Sequence, residues 1–230
     1  MSQHRNPQEE TSGKSAALGD QAYAVLKEKL LRGSFRPGEK LTVRKIAHEF
    51  GLSSTPARDA LNRLAIQHAL VYAGPKTVVV PNLTLSQLRE VTEMRLALEG
   101  LAAEKGASKA SPEMLSQLQD AQNRINLALD RQAYADALWA NKEFHFLLYG
   151  RSNMPILIST IEQLWLRIGA TFHHLYPDFA ISRSGVSNHR AAMEGLQNGE
   201  PTEVRAAIEA DIRDGYRQLR RVISEQKSEN

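Results

Sequence analysis

A seam at Pro81-Asn82 divides this chain into two stretches that follow different patterns. Before it, short helical periods alternate with β-prone runs and tight-turn residues. After it, the period of the amphipathic helix is the only one present. The chain is therefore expected to be mainly α. A small N-terminal α/β unit occupies residues 18–82, and an all-α antiparallel six-helix bundle occupies residues 83–226. Residues 1–17 are polar and are expected to form a flexible tail.

In the front unit, Leu18, Ala22, Val25, Leu26 and Leu30 recur at helical spacing, and Gly33 ends that helix. Arg36-Pro37-Gly38-Glu39 is a turn by composition, Lys40-Leu41 a short extended piece, and residues 43–50 a short helix stopped by Gly51. Ser53 caps a helix over 54–67, with Pro56 in its first turn, where no intrahelical hydrogen bond is lost. Residues 70–73 and 77–80 flank Gly74-Pro75-Lys76 as a hairpin. This order is that of a winged helix-turn-helix, whose third helix enters the DNA major groove with its N-terminal residues against base edges. Arg44, Arg58 and Asn62 suit base edges, with Arg63 on the same helix as the last two. Ser53, Ser54, Thr55 and the helix N-terminus suit phosphate. Lys76 on the wing tip is placed for phosphate or the minor groove. A small α/β domain with an ordinary solvated face would show the same spacing. Residues 1–80 carry 12 Lys and Arg against 7 Asp and Glu, while the remainder carries 17 against 19. A basic front on a mildly acidic body fits a polyanionic partner.

In the body, Thr84 and Gln87 make a capping box and Leu83 and Leu88 a hydrophobic staple, starting a helix of about 84–106. Ser111-Pro112 opens a second, about 112–129. The others span about 133–150, 155–175, 180–198 and 201–226. Asn141 and His145 share one face of the third bundle helix. His189 lies on the fifth and Asp211 on the sixth. Two imidazoles, a carboxylate and an amide oxygen can hold Zn²⁺, Ni²⁺ or Mn²⁺ with coordination positions left open. Helical histidines are also ordinary core or surface residues, and spacing alone does not choose. Arg95 precedes Glu99 by one turn, so it is either half of an ion pair or a planar fork for a carboxylate ligand. Arg167 is a second candidate for that role. Trp139, Phe144 and Trp165 read as core.

The chain has no cysteine. That excludes disulfide frameworks, thiol catalysis, iron–sulfur clusters and cysteine zinc fingers. No apolar run approaches the ~20 residues of a membrane span. The N-terminus lacks the apolar core of a secretory signal. The expected location is the cytoplasm, with no membrane partner. No strong nucleophile or general-base motif is present, so the chain is not expected to be an enzyme. A metal-dependent, hydrolase-like bundle behind a DNA-binding module, or a DNA-binding protein without an effector, are the rival readings.

The stretch LTVRKIAHEFGLSSTPARDALNRLAIQHALV resembles the DNA-binding signature of GntR-type bacterial transcription regulators, and the likeness extends over residues 18–80. Arg44 and Arg58 stand at that family's first and last DNA-contacting arginines. Ser54 stands where another base-reading arginine is usual, and Ala69 replaces a common glycine before the wing. A bidentate guanine contact at Ser54's position would carry about 1–3 kcal/mol of discrimination, so the resemblance does not fix the operator sequence. The body resembles the FCD-type effector domain of the FadR subfamily, in its six-helix VanR-like branch. That domain's Asp-x-x-Phe-His, later His and final His appear here as Asn141-Lys-Glu-Phe144-His145, His189 and Asp211. The resemblance implies a homodimeric, metabolite-responsive repressor on a pseudo-palindromic double-stranded DNA operator. It also implies a divalent metal ion at Asn141, His145, His189 and Asp211, and a small carboxylate effector nearby. Arg95 would be the arginine pointing into the effector pocket.

Overall fold

The computed structural model describes residues 7–175 and 181–228. The front unit runs α1 (Pro7–Leu31), β1 (Lys40–Thr42), α2 (Val43–Glu49), α3 (Ser54–Ile66), β2 (Val71–Gly74) and β3 (Thr77–Val79). The body follows as α4 (Leu85–Ala107), α5 (Pro112–Asp130), α6 (Tyr134–Gly150), α7 (Pro155–Gly169), α8 (Ser184–Asn198) and α9 (Pro201–Ser228). The protein is mostly helical, with one small antiparallel sheet in strand order β1-β3-β2. Leu41 on β1 lies opposite Val78 on β3, and both are buried over the α2–α3 pair. None of the described helices is long and apolar enough to cross a membrane.

Most helix starts follow the sequence signals, while Ser53 stands at the N-cap position of α3 without the capping bond expected of its side chain. The Thr42 hydroxyl accepts from the Lys45 amide to cap α2. Thr84 and Gln87 form the reciprocal capping box of α4, and Leu83 and Leu88 are both buried. The Ser111 hydroxyl accepts from the Met114 amide at the start of α5.

Four details differ from expectation. The polar N-terminus is helical from Pro7 onward rather than a tail to residue 17. Pro suits a first helical position and the following residue types are mostly good helix formers, although the apolar period begins only at Leu18. The helix expected over 155–175 stops at Gly169, and Ala170–Leu175 continue as a 3₁₀ turn. The helix expected over 180–198, whose first residue lies outside the described residues, is broken at Arg183, which adopts a left-handed backbone with φ 48°, and runs unbroken from Ser184. Before the wing, the left-handed residue is His68 (φ 58°), so the glycine-favouring position is His68 rather than Ala69.

In the body, α4 packs against α6, α7 and α9, while α5 packs against α6 and α8. A Cβ on Gly106 would fall 2.1 Å from the Leu148 carbonyl oxygen, so α4 and α6 meet backbone to backbone. The front unit docks on the body through α1. A Cβ on Gly169 would fall 2.9 Å from the Leu30 carbonyl oxygen. Ion pairs Lys27–Glu162 (2.7 Å) and Arg32–Asp136 (2.8 Å) flank that contact.

Two stability outcomes follow. His68 is exposed, so His68→Gly is expected to relieve the left-handed strain and stabilise the fold by about 1 kcal/mol. Gly169→Ala is expected to destabilise by about 1–3 kcal/mol through overpacking against α1. Thermal and urea denaturation of the two variants beside the wild type check both signs.

Candidate functional site

The front unit sorts its arginines by burial and pairing. Arg44 in the first turn of α2 and Arg58 on α3 are exposed, as are Ser53, Ser54, Thr55 and Lys76. Among the described residues neither Arg44 nor Arg58 has an ion-pair partner. The Ser53 side chain makes no capping bond to its own helix, leaving its hydroxyl and the first amides of α3 outward-facing. Asn62 accepts a hydrogen bond from the wing residue Tyr72 at 3.3 Å, so it also braces the wing against α3. Arg63 points the other way. It bonds Asp20 at 2.6 Å and lies 4.1 Å over the Tyr23 ring, tying α3 to α1. The wing tip is anchored by the Val43 amide donating to the Lys76 carbonyl at 3.2 Å.

Inside the body, α6 presents Asn141, His145 and Tyr149 on one face at intervals of one turn. His145 is 0% exposed, and His189, arriving from α8, is 1% exposed. The Tyr149 hydroxyl donates to Glu99 at 2.7 Å, so its oxygen is left to accept from His145 Nδ1, 2.9 Å away. His189 Nδ1 lies 2.7 Å from the Gln122 carbonyl oxygen, whose amide group is oriented by donating to Asn126 at 3.0 Å. Both imidazoles thus carry a proton on Nδ1 and present Nε2 to one point. The two Nε2 atoms are 3.3 Å apart, and Asp211 Oδ2 on α9 is 3.3 Å from His145 Nε2. The Phe144 ring stacks on His189 at 3.9 Å.

Lone pairs facing each other at that distance repel unless a proton or a cation lies between them. Burial pushes the His189 pKa down to about 3, so that ring is neutral at pH 7. Burial raises the Asp211 pKa, but the adjoining imidazoles and the Arg95 guanidinium more than offset it and hold it below the ordinary carboxylate value. A single shared proton would satisfy Oδ2 alone. Asp211 Oδ1 is also buried, with no hydrogen-bond partner among the described residues. The donor set fits a divalent cation. Donor atoms of His145, His189 and Asp211 all lie within 4.8 Å of one another. The 3.3 Å spacing is close to the separation of two ligands each about 2.0–2.1 Å from a tetrahedral ion.

A narrow cavity of about 50 Å³ opens beside this group, walled by Asn141, His189, Asp211, Arg95, Trp165 and Phe172 among others. That volume holds a few waters or a small ligand group. The ion pair expected of Arg95 forms: its Nε donates to Glu99 at 2.5 Å, and the residue, 6% exposed, also lines the cavity, 4.9 Å from the Trp165 ring. Burial lowers the Arg95 pKa, but the Glu99 charge more than restores it. Trp165 is core by burial and cavity wall by position. Trp139 is only half-buried, covered by Arg32 and Lys142 rather than enclosed in the core. Arg167 is not brought to this cavity. It lines a separate hollow beneath the wing with Tyr72, Leu83 and Gln87. Two residues beyond Trp165, it lies roughly 200° around α7 from the cavity face.

Sequence reasoning did not single out Tyr149 or Gln122, and took Glu99 only as a partner for Arg95. Tyr149 had a readable signal, one turn past His145 on the same face. Gln122 had none, since only the packing of α5 against α8 brings it to His189.

A winged helix-turn-helix mounted on an all-helical body with an internal polar cavity defines a DNA-binding transcription regulator. Residues 18–80 match the gntR family of bacterial regulatory proteins, and residues 90–214 match the FCD domain. The chain belongs to the GntR family, with an FCD domain as its body. It is 33% identical over 186 residues to the HTH-type transcriptional regulator McbR of Escherichia coli K12, covering 80% of this chain and 84% of the relative. It is 24% identical over 220 residues to the HTH-type transcriptional repressor RspR of the same organism, covering 92% and 94%. The solved structure of E. coli McbR/YncC superposes with a TM-score of 0.81 at 30% identity, covering 91% of this chain and 98% of that one. These relatives are transcription regulators, and the chain is accordingly a regulator rather than an enzyme.

The opposed orientations of Arg58 and Arg63 have a measurable consequence. Arg63→Ala is expected to lower the thermal midpoint by loosening α1 from α3, while Arg58→Ala leaves it unchanged. Melting curves of the two variants side by side read this.

Proposed function

We propose that this chain is a metal-containing, metabolite-responsive repressor. A homodimer sets two copies of α3 on a pseudo-palindromic operator, with half-site spacing given by the dimer geometry. Arg44, Arg58 and Asn62 read base edges. Ser53, Ser54, Thr55 and Lys76 hold phosphate. In the body, His145, His189 and Asp211 would hold a divalent metal ion, Zn²⁺, Ni²⁺ or Mn²⁺, with Asn141 on the adjoining cavity wall. Such an ion supplies a Lewis-acidic anchor for a carboxylate. The effector is a small carboxylate, and the Arg95 nitrogen not engaged by Glu99 is available to it.

The observation that carries this reading is the convergence of two Nε2 lone pairs and a buried carboxylate on one point of a cavity wall. A dry, fully packed bundle would have favoured a DNA-binding protein without an effector. Release from DNA is the direction supported by RspR, a relative named as a repressor. A ligand that prefers one arrangement of front unit and body must change DNA affinity by the same coupling free energy, typically ~1–3 kcal/mol.

The test begins with unbiased selection of bound duplexes. The selected duplex is then titrated by fluorescence anisotropy, with and without Zn²⁺ or Ni²⁺ and a panel of small carboxylic acids. At least one acid is expected to weaken binding about 5–150-fold in the presence of metal. Acids that bind the body yet leave DNA affinity unchanged would refute effector control. Arg44→Ala and Arg58→Ala are each expected to cost about 1–3 kcal/mol of preference for the selected duplex over random duplex. Undiminished preference in both variants removes them from the interface. His145→Ala and His189→Ala are expected to abolish the metal content found in tag-free wild-type protein. Equal, near-zero metal in all three overturns the metal reading.

A further inference from the structure

Glu99 donates no atom to the convergence point of His145, His189 and Asp211, yet it is joined to it by an unbroken buried chain. Its Oε1 accepts from Arg95 Nε at 2.5 Å, and its Oε2 accepts from the Tyr149 hydroxyl at 2.7 Å. The Tyr149 oxygen lies 2.9 Å from His145 Nδ1. A hydroxyl has a single proton. With its one hydrogen engaged in the bond to Glu99, the Tyr149 oxygen can only accept, and the atom it accepts from is Nδ1–H. The carboxylate therefore dictates, through one intervening hydroxyl, which nitrogen of His145 carries hydrogen. The free lone pair is left on Nε2, the atom that faces His189 and Asp211.

We propose that Glu99 and Tyr149 are positioning residues for a divalent cation at His145, His189 and Asp211, with Arg95 holding Glu99 away from the ion. This rests on the reading of those three residues as a cation site. The chain does two things that burial alone would not do. It locks the His145 ring by a second hydrogen bond, and it makes Nε2 a stronger donor by polarising Nδ1–H toward an ionised group. The Gln122 carbonyl performs the first task for His189 at 2.7 Å, but as a neutral acceptor it contributes less to the second. The two histidines are thus supported unequally, with the stronger relay on His145.

The arrangement also assigns a reason for Arg95 to be fully enclosed. Glu99 is 0% exposed, and a bare carboxylate there would be an uncompensated buried charge beside the site. With Arg95 donating to both oxygens and Tyr149 to Oε2 as well, both carboxylate oxygens are occupied. Helix α4 thereby serves the site without contributing a ligand.

The experiment measures Zn²⁺ affinity of the full-length protein by competition with a chromophoric chelator. Wild type, Tyr149→Phe, Glu99→Gln and His145→Ala are compared. Imidazole nitrogen chemical shifts of the metal-free proteins report the His145 tautomer, assigned by difference against His145→Ala. Tyr149→Phe keeps the ring and removes only the hydroxyl. It is expected to weaken Zn²⁺ binding roughly 10–100-fold and to release His145 into a mixture of tautomers. Glu99→Gln keeps an acceptor while removing the charge, and is expected to lose less affinity with the tautomer retained. Should one variant fail to fold, the other still decides by its affinity and its nitrogen shifts. Zn²⁺ affinity of Tyr149→Phe within about twofold of wild type overturns the proposal, as does weakened binding with an unchanged tautomer. Wild-type protein that fails to bind Zn²⁺ more tightly than His145→Ala overturns the cation site itself, and this inference with it.

Discussion

An ionised carboxylate inside an apolar bundle must be paired or it unfolds the bundle around it. Among the described residues this body encloses two, the fully buried Glu99 on α4 and the largely buried Asp211 on α9, in contact with a guanidinium, a phenol and two imidazoles. The partners come from α4, α6 and α9, with His189 from α8 and Gln122 from α5 completing the set. Sliding any one of these helices by a turn, about 5.4 Å, would leave a charge or a polar nitrogen stranded. The polar group therefore fixes the register of the helices, while the surrounding leucines and alanines supply bulk burial that many registers would satisfy. The backbone contact of α4 with α6 at Gly106 is compatible with that register, because it brings Glu99 within reach of Tyr149.

The front unit uses charge under the opposite condition. Its outward cations stay in water, where an unpaired arginine costs little and remains available to a polyanion. The one arginine of α3 that is drawn inward, Arg63, is matched by Asp20 and by the face of Tyr23. One short helix thus separates a structural cation from a solvent-facing one by five residues of sequence. The outward face stays basic without destabilising the small core beneath it.

Much of this was legible in the residues because it is local. Thr84 and Gln87 announce their cap, Gly51 and Ser53 announce the turn between α2 and α3, and Asn141 and His145 announce a shared face. What was not legible is what depends on how helices rotate against one another. Arg167 looked equivalent to Arg95 as an arginine on a bundle helix, yet α7 turns Trp165 inward and so must turn Arg167 toward the wing. Gln122 meets His189 across 67 residues of chain, which no spacing rule reaches. The helical N-terminus from Pro7 was missed for a different reason. Helix formation there rests on propensity, whereas the reading relied on apolar period.

The Gly169–Leu30 contact places cavity and recognition unit in mechanical series. Trp165 and Ile168 of α7 wall the cavity, and the next residue of the same helix lies against the main chain of α1, which in turn carries α3. Side chains at a helix interface can change rotamer and absorb a displacement. Two backbones in contact have far less such slack, so a shift of α7 at this point bears directly on α1, as between meshed gears.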